Sequence, residues 1–133
     1  GQTSLVAVMQ TGHPLAQAHQ LACHEIAKYP LVCYDPDWSP MGAHIRDAFR
    51  AAGLDYKPVC TTPFCADVCS LVRACGGVGI VDEMTARRTA DQSLHWLPIT
   101  DIAKISIVAF YRRNEAFSAN VHDLLEAILG EAR

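Results

Sequence analysis

The chain reads LVCYDPDWSPMGAHIRDAFRAAGLDYKPVCTTPF between residues 31 and 64, and this stretch contains the same local order twice. A short apolar strand is followed by a hydroxyl residue and a proline, first Ser39-Pro40 and then Thr62-Pro63, and a helix is predicted to begin there. Ser and Thr are favoured N-cap residues, and proline at the first helical position loses no intrahelical hydrogen bond. Two successive strand–helix units predict right-handed crossovers and a mainly parallel sheet.

The alternation of apolar strands and amphipathic helices continues on both sides of this stretch. Strands are predicted at 4–9, 31–34, 56–61, 78–81, 94–99 and 105–111. Helices are predicted at 20–28, from Ser39-Pro40 to a C-cap at Gly53, at 64–75, from an Asp82 cap to residue 88, and within 115–133. The fold class is therefore α/β, with a mainly parallel sheet flanked by helices.

Composition limits the classes of protein that this sequence can represent. With 133 residues, 50% of them hydrophobic and 19% charged, the chain is predicted to form one globular domain rather than a disordered segment. A net charge of −3 provides no basic surplus to neutralise phosphates, which argues against nucleic-acid binding by this segment itself. No apolar run approaches the ~20 residues of a membrane span, and no basic-then-apolar leader indicates a signal peptide.

Six cysteines are the most unusual feature of the composition, and most lie in apolar runs. They are Cys23, Cys33, Cys60, Cys65, Cys69 and Cys75. Without a secretory signal, buried free thiols in a reducing cytoplasm are the favoured interpretation. A redox- or metal-sensing module built on Cys60, Cys65 and Cys69 is the alternative, although their spacing matches no standard zinc module.

No catalytic motif emerges from the sequence. Gly76-Gly77-Val78-Gly79 follows a helix and precedes a strand, whereas a dinucleotide loop follows a strand and opens a helix. There is no G-x-S-x-G nucleophile elbow, and nothing in the sequence nominates one of the scattered histidines as the partner of a cysteine nucleophile. We therefore predict that the chain is not an enzyme and needs no metal or cofactor.

The two strand-to-helix turns are the candidate binding site. In a parallel sheet they lie together at the carboxyl ends of the strands, where open α/β folds bind ligands. Helix starts have unpaired N–H groups and partial positive charge, so they favour a small anion. The groups expected to contribute are the N–H of Met41, Gly42, Phe64 and Cys65, and the hydroxyls of Ser39, Thr61 and Thr62. The alternative is simple capping, with water on the spare donors.

Two further features surround the first of these turns. Trp38 directly precedes a predicted helix start, so it is expected in the core or at the edge of the crevice. Asp35 and Asp37 flank Pro36, where the ordinary role of a carboxylate is to set the geometry of the turn. No lysine or arginine is clearly placed in the crevice, so the charge of the ligand is inferred from the helix ends alone.

These motifs, taken in order, resemble the effector-binding domain of LysR-type transcriptional regulators. The resemblance begins with Gly12-His13-Pro14-Leu15-Ala16 after the first strand, and with Tyr29-Pro30-Leu31-Val32 at the next one. It continues through Ser39-Pro40-Met41-Gly42 and Ala51-Ala52-Gly53 to Gly77-Val78-Gly79-Ile80-Val81, and it ends in the C-terminal helix. Cys75 departs from the pattern, because the family usually has glycine there.

The resemblance implies a periplasmic-binding-protein-like domain in which a small molecule binds between two α/β lobes. Residues 1–15 would be the crossover strand from the first lobe, 16–104 the second lobe, and 105–133 the return strand and C-terminal helix of the first lobe. The apolar face of that helix would pack on another chain or on the strand at 4–10. The family's effector contacts fall on Ser39, Pro40, Met41, Gly42, Thr61, Thr62 and Phe64.

The same resemblance implies a cytoplasmic regulator that acts as a homodimer or tetramer without a membrane partner. DNA would be bound only through a helix-turn-helix domain that this chain does not contain, and one lobe alone would bind the effector weakly. The alternative on the same fold is an extracytoplasmic solute-binding protein. The absence of an export signal and the six cysteines argue against that alternative.

Overall fold

A computed structural model describes residues 1–89, 91–110 and 118–131 of the chain. The strands are β1 (Gln2–Thr3), β2 (Leu5–Gln10), β3 (Leu31–Cys33), β4 (Cys60–Thr61), β5 (Val78–Asp82), β6 (Leu94–Pro98) and β7 (Ile105–Ser106). The helices are α1 (Cys23–Ile26), α2 (Pro40–Ala51), α3 (Cys65–Cys75), α4 (Glu83–Thr89) and α5 (Ala119–Glu131), and a short 3-10 helix spans Pro14–Gln17. No helix in these ranges combines the length and hydropathy needed to cross a bilayer.

The central sheet has five strands in the order β4-β3-β5-β2-β6. β3 is parallel to β4 and to β5, whereas β2 is antiparallel to both β5 and β6. Four strands thus run in one direction and β2 alone runs in the other. The prediction of an α/β fold with a mainly parallel sheet is confirmed, with β2 as the exception.

The position of β2 in the sheet was not predicted from the sequence. β2, which belongs to the segment at 1–15, lies between β5 and β6 inside the sheet whose other strands come from 16–104. Its first five residues are all buried, as is typical of a central strand covered on both faces. The neighbouring β1 pairs with β7, which brings the segment at 1–15 beside the one that begins at 105.

The core forms where α3 packs closely on β5. Val68, Cys69 and Val72 are the buried residues of α3. Gly79 makes the close approach possible, because a Cβ atom there would lie 2.6 Å from Val68 Cγ1 and 2.9 Å from Val72 Cγ2. On the other long helix, α2, Ile45 and Phe49 are buried against the sheet.

Several elements are shorter than the sequence predicted. β4 covers two residues of the predicted strand at 56–61, since Pro58 has no N–H with which to pair in a sheet. α1 is four residues long rather than nine. β7 covers two residues of 105–111, of which residue 111 lies outside the described residues. The residues at 115–117 and 132–133 of the last predicted helix also lie outside them.

The C-terminal helix α5 exposes most of its apolar face. Leu124 is 59% exposed and Ile128 is 50% exposed, while Leu125 is half-buried. The prediction that this face packs on the strand at 4–10 is therefore wrong, because Leu124 and Ile128 remain exposed. Phe117, which the periodicity places on the same face, lies outside the described residues.

Candidate functional site

The site begins with two neighbouring strands. β3 and β4 are parallel and in register, with Val32 opposite Cys60 and Cys33 opposite Thr61. Both strands therefore end at the same edge of the sheet, and each is followed there by a turn that leads to a long helix. This confirms the geometric premise of the predicted crevice.

The first turn is closed by the predicted N-cap. Ser39 has extended backbone angles, and its Oγ accepts a hydrogen bond from the N–H of Gly42 at 3.2 Å. Pro40 occupies the first helical position, and the N–H of Ala43 donates to the carbonyl of Ser39 at 2.9 Å. The N–H of Met41 is among those that have no partner within the helix.

Gly42 lets the start of α2 approach the preceding loop. A Cβ atom at this position would lie 2.8 Å from the carbonyl oxygen of Asp35 and 3.1 Å from Pro36 Cα. Both neighbours are backbone atoms, which cannot move aside without shifting the loop. Since its N–H is also donated to Ser39, Gly42 is placed to position the loop.

The second turn differs from the predicted cap. The N-cap of α3 is Phe64, two residues later than Thr62. The N–H of Thr62 donates to the carbonyl of Cys33 at 3.0 Å, which extends the ladder between β3 and β4 and delays the helix. The hydroxyl of Thr62 accepts from the N–H of Phe64 at 3.4 Å and donates to Asp67 Oδ2 at 3.3 Å.

The two turns enclose a hollow of about 250 Å³, which we call the turn crevice. It is lined by Asp35, Trp38, Ser39, Thr61, Thr62 and Pro63. The structure thus brings together three of the predicted site residues, one from the first turn and two from the second. Its volume is slightly below the ~300 Å³ at which small-molecule pockets usually start, which suits one small ligand.

The other predicted site residues lie outside the turn crevice. Pro40 and Met41 line a second hollow of about 400 Å³, together with His44, Lys104, Ile105 and Ser106. Gly42 and Phe64 line neither hollow, and the side chain of Phe64 is 66% exposed. The start of α2 therefore separates two hollows rather than closing a single one.

Sequence reasoning missed Asp35 and Pro63 as lining residues. Asp35 does set the turn as predicted, because its Oδ1 accepts from the N–H of Asp37 at 2.9 Å. It also follows the end of β3 by only two residues, and this position at a strand end could have identified Asp35 as a lining residue. Trp38 lies at the edge of the crevice, and its side chain is 89% exposed.

Basic side chains are absent from the residues described as lining the turn crevice. Arg46, Arg50 and Lys57 line a separate hollow of about 320 Å³. There Lys57 Nζ lies 2.6 Å from Asp55 Oδ2, and Arg46 Nη1 lies 3.9 Å from an oxygen of Asp37. Asp35 is therefore the one charged residue in the lining of the turn crevice.

The thiols of Cys33, Cys65 and Cys69 favour the protonated form. Burial raises the pKa of Cys65 and of Cys69, and raises the pKa of Cys33 to about 11. Such thiols are poor nucleophiles, since the thiolate is the reactive form. All six cysteines are free, and the described ranges hold no group of three ligating side chains that could bind a metal. The raised pKa values of Cys65 and Cys69 disfavour the redox alternative at two of its three cysteines.

Solved structures with the same architecture define the class of protein. The regulatory domain of CcmR from Synechocystis, in complex with 2-PG, is 12% identical with a TM-score of 0.71, over 97% of this chain and 62% of that one. The effector-binding domain of QuiR in complex with shikimate is 18% identical with a TM-score of 0.67, over 94% of this chain and 59% of that one. At these identities the likeness shows the fold, which is that of LysR effector-binding domains.

The family itself is shown by sequence. The LysR substrate binding domain model matches residues 1–133, so the chain belongs to that family. The HTH-type transcriptional regulator SsuR from Burkholderia cenocepacia is 33% identical over 111 residues, which is 83% of this chain and 35% of SsuR. The chain thus spans about a third of the length of this relative. The resemblance inferred from the motifs is confirmed.

Proposed function

We infer that the chain senses a small molecule, which binds at the turn crevice. The observation that supports this proposal is the register of β3 and β4, because the two strand-to-helix turns that follow these strands line one solvent-open hollow. The family is one of transcriptional regulators, and the structures of QuiR and BenM domains carry shikimate and benzoate. Belonging to this family also favours a regulator over an extracytoplasmic solute-binding protein.

The proposed ligand has an anionic group, which would be held at the helix starts. Support comes from the hydroxyl residues Ser39, Thr61 and Thr62, which line the crevice, and from the partial positive charge at the starts of the adjoining helices α2 and α3. Shikimate and benzoate, named in the related structures, are both carboxylates. Of the contacts predicted from the sequence, Ser39, Thr61 and Thr62 are the ones we propose in the crevice, since Pro40, Met41, Gly42 and Phe64 lie outside its lining.

We further propose that the chain is part of a longer regulator with two lobes. Residues 16–104 would form the second lobe, and 1–15 with 105–133 would connect to the first lobe. The effector would close the two lobes and change a homodimer or tetramer that binds DNA through a separate helix-turn-helix domain. We place this regulator in the cytoplasm, which the six free thiols support, and assign it no enzymatic role.

A thermal-shift screen of this chain against small carboxylates tests the binding site. We expect weak stabilisers whose effect is lost in Thr61→Val, which removes a hydroxyl from the lining and keeps the shape of the side chain. Ser70→Ala is the matched control, because Ser70 lies on the exposed part of α3 and its hydroxyl donates to Ala66. The proposal fails if no carboxylate raises the melting temperature, or if the shift persists in Thr61→Val.

A further inference from the structure

The turn crevice has one charged residue, and its charge is negative. Asp35 is half-buried and lines the crevice between Trp38 and the second turn. Its Oδ1 accepts the N–H of Asp37, and no hydrogen bond to its Oδ2 is made within the described part of the chain. No cation of the lining offsets this carboxylate. Asp35 Oδ2 can therefore accept a hydrogen bond from a ligand that enters the crevice.

The rest of the lining offers an apolar wall and hydroxyl groups. Trp38 is 89% exposed, and Pro63 of the second turn also lines the crevice. An exposed indole beside a carboxylate suits an ammonium or another donor group on a flat apolar body, because a cation is attracted both to the ring face and to the carboxylate. A purely anionic ligand would instead be repelled by Asp35.

We propose that Asp35 is a specificity-determining residue that selects effectors carrying an ammonium or hydroxyl group in addition to their anionic group. This inference rests on the proposed function, in which the anionic group is held at the helix starts. The effector class is then a small aminocarboxylate or hydroxycarboxylate, with Trp38 covering its apolar part. A carboxylate without a donor group would bind less tightly.

Three probes on one skeleton test this selection directly. Phenylacetate, mandelate and phenylglycine differ only in the group beside the carboxylate, which is hydrogen, hydroxyl or ammonium. Binding is read from the fluorescence of Trp38 in a Trp96→Phe background, since the chain has two tryptophans. We expect the dissociation constants to fall in that order, with phenylglycine up to about fivefold tighter than phenylacetate, as for a partly exposed ion pair.

The variant Asp35→Asn separates charge from geometry, because its amide oxygen still accepts the N–H of Asp37. We expect the ranking to flatten in this variant and to persist in the control Asp37→Asn, whose carboxylate lies outside the crevice lining. The inference is overturned if phenylacetate binds as tightly as phenylglycine, if the ranking survives Asp35→Asn, or if no probe changes the emission. The screen with Thr61→Val can still support the proposed function in each of those cases.

Discussion

Ser39 and Thr62 occupy similar places before two helices, but their hydroxyls make different hydrogen bonds. Ser39 caps α2 directly through the N–H of Gly42. Thr62 is held in the sheet by Cys33, and its hydroxyl connects the loop at Phe64 to the first turn of α3 at Asp67. The first turn is therefore fixed by a cap and the second by the sheet ladder.

Ser39→Ala removes the cap of α2 and is expected to lower the free energy of unfolding by about 1 kcal/mol. Urea denaturation measures the change, and Ser39→Asp should restore most of it because a carboxylate also accepts the N–H of Gly42. Wild-type stability in Ser39→Ala would show that the hydrogen bond contributes nothing. Ser70→Ala serves as the control for loss of a hydroxyl on a helix.

Gly42→Ala is expected to destabilise the protein by about 1–3 kcal/mol, because the added methyl group meets the backbone of Asp35. The sign of this change in stability is informative, since alanine in place of glycine within a helix normally stabilises the helix by roughly 1 kcal/mol. Gly12→Ala is the control, as its Cβ atom would meet nothing within 4 Å. Equal thermal stability of Gly42→Ala and the wild type would contradict the close approach.

At the scale of elements, local signals predicted which strands and helices exist better than where they end. The cap at Ser39, the positive φ angles at Gly76 and Gly77, and the cap at Asp82 all act within a few residues, so the sequence reveals them. The start of α3 depends on the hydrogen bond from Thr62 to Cys33, which joins residues distant in the chain. Local sequence propensity cannot predict a hydrogen bond between such distant residues.

The sequence also predicted only part of the candidate site. Thr61, Thr62 and Ser39 follow from the parallel order of two strand–helix units, which the motifs reveal. The separation of Met41 from Thr61 into two hollows depends on how α2 packs beside Lys104 and Ser106. That packing is a tertiary feature, and neither Lys104 nor Ser106 lies in a motif of the sequence.

The exposed face of α5 predicts self-association of this chain. Leu124 and Ile128 leave an apolar stripe in water, which favours burial against a second copy. Light scattering should therefore detect species larger than a monomer, and Leu124→Lys should shift the population towards monomer. Asp123→Lys is the control for added positive charge on the same helix. A monomeric wild-type chain would contradict this prediction.

At the scale of the whole molecule, the buried thiols tie stability to pH. The pKa of Cys33 is raised by burial to about 11, above the ~8.5 of an exposed thiol. The unfolded chain therefore releases this proton first as the pH rises, and the stabilisation is complete below about pH 8.5 and lost up to about pH 11. Burial also raises the pKa of Tyr34 and Tyr56, with the same sign.

Denaturation at several pH values checks this dependence. The free energy of unfolding should fall by about 2.5 kcal/mol for Cys33 alone between neutral pH and about pH 10.5, at ~1.4 kcal/mol per pKa unit. Cys33→Ala is expected to be less stable at neutral pH but to lose less stability on going alkaline. Cys75→Ala, at an exposed thiol, should keep the wild-type profile. Parallel profiles for Cys33→Ala and the wild type would refute the assignment.

The central claim is that the crevice between the starts of α2 and α3 receives the effector. Its most direct test is a titration of the isotopically labelled chain with mandelate, followed by amide chemical shifts in NMR spectra. The account predicts that the largest changes occur at the N–H groups of Ser39, Thr61 and Thr62, which line the crevice. Changes confined to the basic hollow of Arg46, Arg50 and Lys57 would contradict it.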